Sequence, residues 1–359
     1  MRYRTGTMRR LLEALVPAVS FLVLGSAAAA SPSGSLSPLS GGRCAAPEPR
    51  ALSLPAFPVP APVETLGGSP ADCAFTTSNP SADYDPTVLY TIEVVVHILM
   101  DDACSQGAVS DALVLSQIEI MNEDFLALPG TNGAAGTDSQ IRFVLAPEDP
   151  DGNPSTGITR SCNTTWYNDG GDYFETLAWD PNRYLNIYTG TAAGARGYVP
   201  FLPDAPDATV GSNADRVVIN QLAFGRNGPF PPHDQGRTVT HEVGHFFGLF
   251  HPYFGGCGVA TPPDCYATGD LLCDTPPDAT SHDDCPVGAT SCGGVPVPIE
   301  NYMELTDDLC MTGFTPEQVR RMRCTLEHYR PSLFQAGGAA IFSDGFESGD
   351  TTAWAGSIP

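Results

Sequence analysis

Three histidines and a glutamate stand within eleven residues, in the segment HEVGHFFGLFH at 241–251. Residues four apart share one face of an α-helix, so His241 and His245 can present their imidazoles to one point. Gly248 can adopt the left-handed conformation that ends a helix, and that turn would bring His251 round as a third ligand. Three nitrogen ligands with one open position are typical of catalytic zinc. The alternative is an amphipathic helix whose histidines make ordinary hydrogen bonds.

Glu242 follows the first histidine and is rotated off the ligand pair, where its carboxylate can reach a metal-bound water without binding the metal. A carboxylate placed there takes a proton as the water attacks a carbonyl. The pattern HExxHxxGxxH, with a later methionine turn, is the signature of metzincin metalloproteases. Met303, in NYMEL, lies 52 residues after His251. The spacing therefore predicts a zinc site for hydrolysis.

The first thirty residues have the features of an export signal. Four arginines accompany a mostly apolar run over 11–24, and the small residues Ala28 and Ala30 form a cleavage pattern. A membrane anchor is the alternative, but the run is short for a span. We therefore expect residues 1–30 to be a signal peptide and the protein to be secreted.

The cysteines and the charge fit this location. Ten of the 11 cysteines lie beyond residue 70, and seven lie between Cys257 and Cys324, which predicts disulfides in an oxidising compartment. The formal net charge is −24, and without the signal segment, which carries +3, it becomes −27. This excess disfavours nucleic acid and membranes as partners. It favours bound calcium, basic substrates or simply a solvated surface.

Composition divides the rest of the chain. Residues 31–83 are rich in Pro, Ser, Gly and Ala without a sustained period, which predicts a flexible or extended pro-segment. Residues 84–334 are predicted to form one catalytic domain, and 335–359 form an acidic, glycine-rich tail with no assigned role. Within the domain, the pattern predicts strands at 88–100, 141–147, 183–190 and 215–220 and helices at 109–125, from about 237, and at 314–330.

Four segments are informative in their order and spacing: HEVGHFFGLFH, GDLLCDTPPD at 269–278, NYMELTDDLC at 301–310 and FTPEQVRRM at 314–322. Together they resemble the pappalysin family of metzincins, which are secreted zinc endopeptidases. The resemblance implies an α+β fold of the metzincin type. A mixed twisted sheet and the active-site helix would form an N-terminal subdomain, and the C-terminal subdomain would be irregular and disulfide-rich.

The resemblance also assigns roles at the centre of the site. His241, His245 and His251 would be the zinc ligands, and Glu242 would be the general base. Met303 would pack beneath the zinc without binding it, and a plain core methionine is the alternative. The family also carries structural calcium near the cleft.

Asp270, Asp274 and Thr275 offer oxygen ligands of the type that calcium prefers. An acidic turn in solvent is the alternative. Asp308 stands where the family has an acidic residue in the pocket for the side chain after the scissile bond. A carboxylate there would pair with arginine or lysine, so we expect cleavage before basic residues.

Four disulfides are expected, although sequence alone does not fix their connectivity. The family pairing implies two of them, Cys257–Cys292 and Cys285–Cys310. Cys265 and Cys273 flank an apparent insertion and could pair with each other, and the upstream Cys104 and Cys162 are another possible pair.

Cys44, in GGRCAAPEP, resembles a cysteine of the family's pro-regions whose thiolate occupies the fourth zinc position and keeps the precursor latent. An unpaired or disulfide-bonded cysteine is the alternative. One position departs from the family: Leu305 stands where a tyrosine usually follows the methionine by two residues and stabilises the tetrahedral intermediate. We expect activity to survive this change.

The predicted function is a secreted zinc-dependent endopeptidase, made as a latent zymogen and acting on protein or peptide substrates. The alternative is a catalytically weak zinc-binding or protein-binding module, to which Leu305 gives some weight. The sequence does not indicate an oligomeric state.

Overall fold

The computed structural model describes residues 68–337. The predicted signal peptide at 1–30, most of the predicted pro-segment with Cys44, and the tail from residue 338 onward lie outside the described residues. Among residues 68–337, no helix is long and apolar enough to cross a membrane.

Regular elements alternate along the first two thirds of the described chain and become sparse after the histidine segment. The strands are β1 (Tyr90–Met100), β2 (Ile141–Leu145), β3 (Ile158–Cys162), β4 (Tyr184–Gly190), β5 (Gly197–Tyr198), β6 (Val217–Asn220), β7 (Thr290–Ser291), β8 (Val295–Pro296) and β9 (Phe334–Ala336). The helices are α1 (Asp111–Phe125), α2 (Thr164–Tyr167), α3 (Tyr173–Leu177), α4 (Arg237–Phe246) and α5 (Pro316–Tyr329).

The main sheet is built around β1. Ten of its eleven residues are buried, as expected for a central strand covered on both faces. It pairs in parallel with β4 on one side, and with β2 and then β3 along the other. The order β2-β1-β4-β6-β5 ends in the short strand β5, which runs antiparallel to β6. The sheet is therefore mixed, and β5 forms one edge beside the histidine helix.

Helix α1 covers the sheet and supports α4. The Ser110 hydroxyl accepts a hydrogen bond from Leu113 N and so caps its first turn. The residues at helical spacing on its apolar face are buried in the main core, as predicted: Val114, Ile118, Met121 and Phe125. Helix α1 contacts both β2 and α4, so the histidine helix lies against a rigid layer.

The second half of the domain is held together mainly by turns and disulfides. The strands and α-helix that follow α4 within the described residues are the short pair β7–β8, helix α5 and β9, and β9 pairs with β1 of the main sheet. Helix α5 begins as its sequence predicts, because the Thr315 side chain and Gln318 form a capping box and Pro316 takes the first helical position. The α+β fold, with an irregular C-terminal part, is therefore confirmed.

Five disulfides link the described residues. Four of them join the cysteines that were expected to pair. The fifth, Cys73–Cys324, connects positions 251 residues apart and was not expected. The separation is too long for any local pattern to indicate it.

This fifth disulfide attaches a short N-terminal segment to α5. Two 3-10 turns, Pro70–Cys73 and Ala82–Tyr84, pack on that helix. The Tyr84 hydroxyl lies 3.0 Å from His328 Nε2. The predicted boundary between residues 83 and 84 therefore passes through a segment that is packed on the domain.

Candidate active site

Helix α4 ends at a turn that only glycine can make. Phe247 N donates to Val243 O, Leu249 N donates to Gly244 O, and Gly248 adopts a positive φ of 89°. A Cβ on Gly248 would also lie 2.6 Å from Thr325 Oγ1. The reversal directs the chain back toward the helix, as the left-handed C-terminal motif does in general.

The turn brings the three histidines together. The Nε2 atoms of His241, His245 and His251 lie 3.0 to 3.2 Å from one another, and all three side chains are buried. Two nitrogens bound to one tetrahedral zinc at about 2.0–2.1 Å are about 3.3 Å apart. These residues also form the one group of three close metal-ligating side chains found within residues 68–337. The donor set and its spacing fit zinc.

Backbone carbonyls orient two of the rings. His241 Nδ1 donates to Tyr302 O at 2.7 Å, and His245 Nδ1 donates to Leu249 O at 2.8 Å. Because a carbonyl only accepts, Nδ1 carries the proton and the Nε2 lone pair is left for a metal. Burial lowers the pKa of His245 to about 4 and the pKa values of the other two ligands well below their usual range. The imidazoles are therefore neutral, as metal ligation requires.

Glu242 is fully buried between α4 and the edge strand β5. A Cβ on Gly197 would lie 2.8 Å from Glu242 Cγ and 3.0 Å from its Oε1. The absence of a side chain at Gly197 thus lets the edge strand pass directly beside the carboxylate.

Met303 packs against the helix between the two histidines. A Cβ on Gly244 would lie 2.4 Å from Met303 Sδ, so the methionine fills the space that this glycine leaves. Met303 is fully buried, and its backbone N donates to Asn301 Oδ1 at 2.9 Å. The preceding residue supplies the carbonyl that orients His241, so this turn supports the histidine cluster without contributing a nitrogen or oxygen ligand.

Asp124 of α1 connects three parts of the site and was not singled out from the sequence. Its oxygens accept hydrogen bonds from Thr240 Oγ1 at 2.6 Å and Tyr302 Oη at 2.8 Å, and Arg237 Nη2 lies 3.1 Å from Oδ1. Burial raises the pKa of Asp124 to about 6, against the lowering effect of Arg237. One feature of the sequence could have identified Asp124: it is a charged residue on the apolar face of α1, three positions after Met121.

Two buried arginines, one within α5 and one directly after it, secure the C-terminal end of the histidine helix. Arg321 Nε donates to Gly248 O at 2.8 Å, and Arg330 Nε donates to Phe246 O at 3.1 Å. Arg330 also pairs with Asp215. These groups satisfy carbonyls that a helix end leaves without intrahelical partners. Helix α5 therefore fixes the turn that leads to the third histidine.

A cavity that is open to solvent adjoins His241 and Glu242. Glu304, Leu305 and Asp308 are among the residues that line it. Burial raises the pKa of Glu304 to about 8. The cavity thus places next to the candidate reaction centre two carboxyl groups besides Glu242, two guanidinium groups and two apolar side chains: Glu304, Asp308, Arg196, Arg237, Leu305 and Met311.

Asp308 is buried, and the protein already uses its carboxylate. Oδ2 accepts hydrogen bonds from Gln235 N at 2.8 Å and Arg237 N at 3.2 Å, at the start of α4. Oδ1 lies 3.5 Å from His233 Nδ1. Asp308 therefore lines this cavity and also anchors the first turn of the histidine helix.

The three residues with an expected calcium role differ in their contacts. Asp270 and Thr275 are buried, and the Thr275 hydroxyl lies beside the Asp270 carboxyl group. Burial raises the pKa of Asp270 to about 8. Asp274 instead accepts hydrogen bonds from Thr315 Oγ1 at 2.7 Å and Glu317 N at 2.8 Å, so its side chain caps α5.

Known proteins match this chain over most of the described domain. The profile of the Peptidase_M43 family, pregnancy-associated plasma protein-A, matches residues 164–327. An extracellular metalloprotease of Pyricularia oryzae is 31% identical over 295 residues, which cover 80% of this chain and 89% of that protein. Mirolysin in complex with compound 9 has a TM-score of 0.59 at 32% identity, covering 69% of this chain and 96% of that chain. A Tannerella forsythia promirolysin mutant has a TM-score of 0.56 at 32% identity, covering 70% and 85%.

A mixed sheet, a helix bearing two histidines, a glycine turn and a third histidine over a buried methionine define a metzincin-type metalloprotease. The motif order seen in the sequence and the similarity to these relatives agree with this class. The chain belongs to the pappalysin family, Peptidase_M43.

Proposed function

We propose that this protein is a secreted zinc-dependent endopeptidase that is made as a latent precursor and hydrolyses peptide bonds with Glu242 as the general base. The observation that carries the proposal is the triangle of Nε2 atoms, 3.0 to 3.2 Å on a side, next to a buried glutamate and an open cavity. Secretion is supported by the extracellular metalloproteases among its relatives.

His241, His245 and His251 would hold the zinc, which when bound lowers the pKa of a water to about 7 and polarises a carbonyl. The Glu242 carboxylate accepts the proton that the attacking water loses and delivers it to the departing amine. The edge strand β5 offers backbone groups to an extended substrate beside that carboxylate. Met303 keeps the ligand helix in place from below.

Cleavage of casein or gelatin by the purified mature protein tests this proposal. We expect activity that a chelator removes and added zinc restores, and that Glu242→Ala lowers by about 10²–10⁴-fold while zinc content is kept. Residual activity in Glu242→Ala close to that of the unaltered protein would contradict the role of Glu242.

The second candidate is a catalytically weak zinc-binding or protein-binding module. Leu305 favours it, because an apolar side chain next to the site donates no hydrogen bond to an oxyanion. The same assay separates the two, since such a module would bind zinc stoichiometrically yet cleave neither protein.

The preferred substrate is proposed to carry a basic residue after the scissile bond. Two buried carboxyl groups, those of Glu304 and Asp308, line the cavity beside Glu242. A guanidinium or ammonium group entering this cavity would favour the ionised form of Glu304, because opposite charges attract strongly where water is excluded.

Structural calcium is proposed at Asp270 and Thr275. A carboxyl group and a hydroxyl group lie side by side in a buried place, and a hard cation bound by their oxygens would offset the cost of burying the ionised carboxylate. The carboxylate of Asp274 accepts hydrogen bonds at the start of α5. Asp274 would therefore connect the proposed calcium site to that helix.

Latency is proposed to depend on Cys44, which lies outside the described residues. The name promirolysin describes a precursor form in a relative at 32% identity. We also propose that residues 68–83 remain in the mature enzyme, because the Cys73–Cys324 disulfide joins them to α5. Removal of residues 1–30 and processing before residue 68 would then leave a catalytic domain that extends to residue 334.

A further inference from the structure

We propose that Asp169 is a positioning residue that holds the edge strand β5 beside Glu242 through the hydroxyl of Tyr198, and so strengthens the binding of extended substrates. This inference rests on the proposed function, in which β5 offers backbone groups to the substrate. Asp169 lies in the turn between α2 and α3 and is not among the residues that line the cavity.

Strand β5 has little support from the sheet itself. It is two residues long, and within residues 68–337 it pairs only with β6, through Gly197 and Tyr198. Its other edge is where the sheet ends, and unpaired backbone groups at such an edge can pair with an extended peptide. Because a strand this short forms few hydrogen bonds with its neighbour, side-chain contacts must fix its position.

The two faces of β5 contact different parts of the molecule. Gly197 lies against Glu242, since a Cβ there would lie 2.8 Å from Glu242 Cγ. Successive side chains of a strand point to opposite faces, so Tyr198 points away from the glutamate. Its hydroxyl donates to the Asp169 carboxylate, at 3.0 Å from Oδ1 and 2.9 Å from Oδ2. The strand is thus held between Glu242 and Asp169.

The carboxylate of Asp169 is itself fixed in place. The backbone N of Asp169 donates to Trp166 O at 2.9 Å, at the end of α2. Its Oδ1 also accepts a hydrogen bond from Tyr173 Oη at 2.8 Å, and Arg216 Nε donates to that hydroxyl at 3.3 Å. The loop therefore presents a fixed acceptor to which the Tyr198 hydroxyl attaches β5.

The backbone of Asp169 gives an independent reason to assign a role to its side chain. Asp169 has a φ of 61°, in the left-handed region that favours glycine, and Gly170 and Gly171 follow it directly. Aspartate adopts this conformation more readily than most residues, but glycine adopts it without steric cost. The backbone conformation therefore does not explain an aspartate at this position, whereas the contact with Tyr198 does.

Two fluorogenic peptides with the same scissile bond, one long enough to lie along β5 and one shorter, test this assignment. Asp169→Gly keeps the backbone conformation and removes the carboxylate, and Tyr198→Phe removes the donor. Each should raise the KM of the long peptide by about five- to tenfold, while its kcat and the kinetics of the short peptide change by less than about twofold. The double variant should lose no more than either single variant, because both remove one contact. Asp169→Asn keeps an acceptor oxygen and should retain most of the affinity.

Two further tyrosine variants serve as controls. Tyr173→Phe removes the other hydroxyl that donates to Asp169, and Tyr188→Phe removes a buried hydroxyl that has no hydrogen-bond partner among the described residues. Both should leave the ratio of the two KM values unchanged, and zinc content and melting temperature report whether each variant is intact. The assignment is overturned if Asp169→Gly or Tyr198→Phe affects both peptides equally or neither of them, or if Tyr173→Phe produces the same loss.

A binding experiment distinguishes failure of this assignment from failure of the proposed function. In zinc-loaded Glu242→Ala protein, adding Asp169→Gly should weaken binding of the long peptide by the same factor, as measured by fluorescence anisotropy. A protein that shows this loss, yet cleaves no peptide when Glu242 is present, would overturn the proposed function and support the role of Asp169. Equal binding with and without Asp169→Gly would overturn that role, even if the unaltered enzyme cleaves both peptides.

Discussion

Leu305 stands two residues after the buried methionine, where the family usually has a tyrosine. It is buried and lines the cavity beside Glu304. Tyr302, on the other side of Met303, does not replace the missing hydroxyl, because its own hydroxyl donates to Asp124. Stabilisation of the oxyanion is therefore left to the metal and to groups other than this side chain.

We expect Leu305→Tyr to keep or raise kcat, since an added donor near the developing charge contributes up to about 2.7–4 kcal/mol where it has been measured. Leu305→Phe is the matched control, because it adds the ring without the hydroxyl. Steady-state kinetics on one peptide would compare the two. Equal losses in both variants would mean that the buried position rejects the ring, and the expectation would be wrong.

At the scale of the elements, Asp124 joins α1, α4 and the methionine turn. Its carboxylate accepts hydrogen bonds from Thr240 and Tyr302 and pairs with Arg237. Thr240 and Arg237 belong to the histidine helix, and Tyr302 belongs to the methionine turn. Because Arg237 is itself fully buried, its guanidinium would have no comparable charge partner without Asp124.

We expect Asp124→Ala to lower the free energy of unfolding by about 3–5 kcal/mol, the usual cost of removing one member of a buried ion pair. Asp111→Ala, at the exposed start of the same helix, removes only the surface pair with Arg160 and should cost about 0–1 kcal/mol. Urea unfolding of the two variants gives the comparison. Equal losses would contradict the connecting role of Asp124.

The segment between α4 and α5 contains the proposed calcium site, and Asp270 makes its stability depend on pH. Its pKa is about 8 in the folded protein, above the value of about 3.9 in an unfolded chain. Without calcium, folding therefore favours the protonated form, and stability falls as the pH rises from about 4 to about 8. Calcium at the proposed site would bind the ionised form and offset this loss.

We therefore expect calcium to raise the melting temperature more at pH 8 than at pH 6. Differential scanning fluorimetry with calcium or with a calcium-selective chelator measures this, and Asp270→Asn should abolish the difference. A rise of equal size at both pH values, or one that persists in the variant, would argue against calcium at Asp270.

The parts of the site that sequence could predict depend on local geometry. Helical spacing places His241 and His245 together, and Gly248 alone permits the turn to His251. The parts that it could not predict depend on contacts between distant segments. Asp124 and Tyr302 are 178 residues apart, and the two-residue strand β5 is too short to produce a pattern. Such contacts exist only once the sheet and both helices have packed.

At the scale of the whole molecule, the described N-terminal segment supports the ligand turn from a distance. Arg321 donates to Gly248 O at 2.8 Å and to Ala74 O at 2.8 Å, so one buried guanidinium joins the two. The Cys73–Cys324 disulfide fixes the same segment to α5. Because Arg321 is fully buried, loss of the segment would remove acceptors that its charge requires.

The proposed latency adds a second link between the N-terminal region and the reaction centre. Cys44 precedes Gly68, where the described chain begins, by 24 residues, and an extended chain of that length spans up to about 80 Å. The intervening chain is therefore long enough for a thiolate at Cys44 to occupy the open position beside the three histidines. Thiolates bind zinc strongly, so such a contact would exclude water from that position.

We expect the Cys44→Ala precursor to cleave a fluorogenic peptide before any processing, whereas the unaltered precursor stays inactive until its N-terminal region is removed. Gel electrophoresis of each assay sample shows whether the precursor is still intact. The double variant Cys44→Ala, Glu242→Ala should be inactive, because opening the fourth metal position does not restore activity when the proposed proton acceptor is missing. A Cys44→Ala precursor as inactive as the unaltered one would rule out the thiolate as the inhibitory group and leave steric cover of the cleft as the cause of latency.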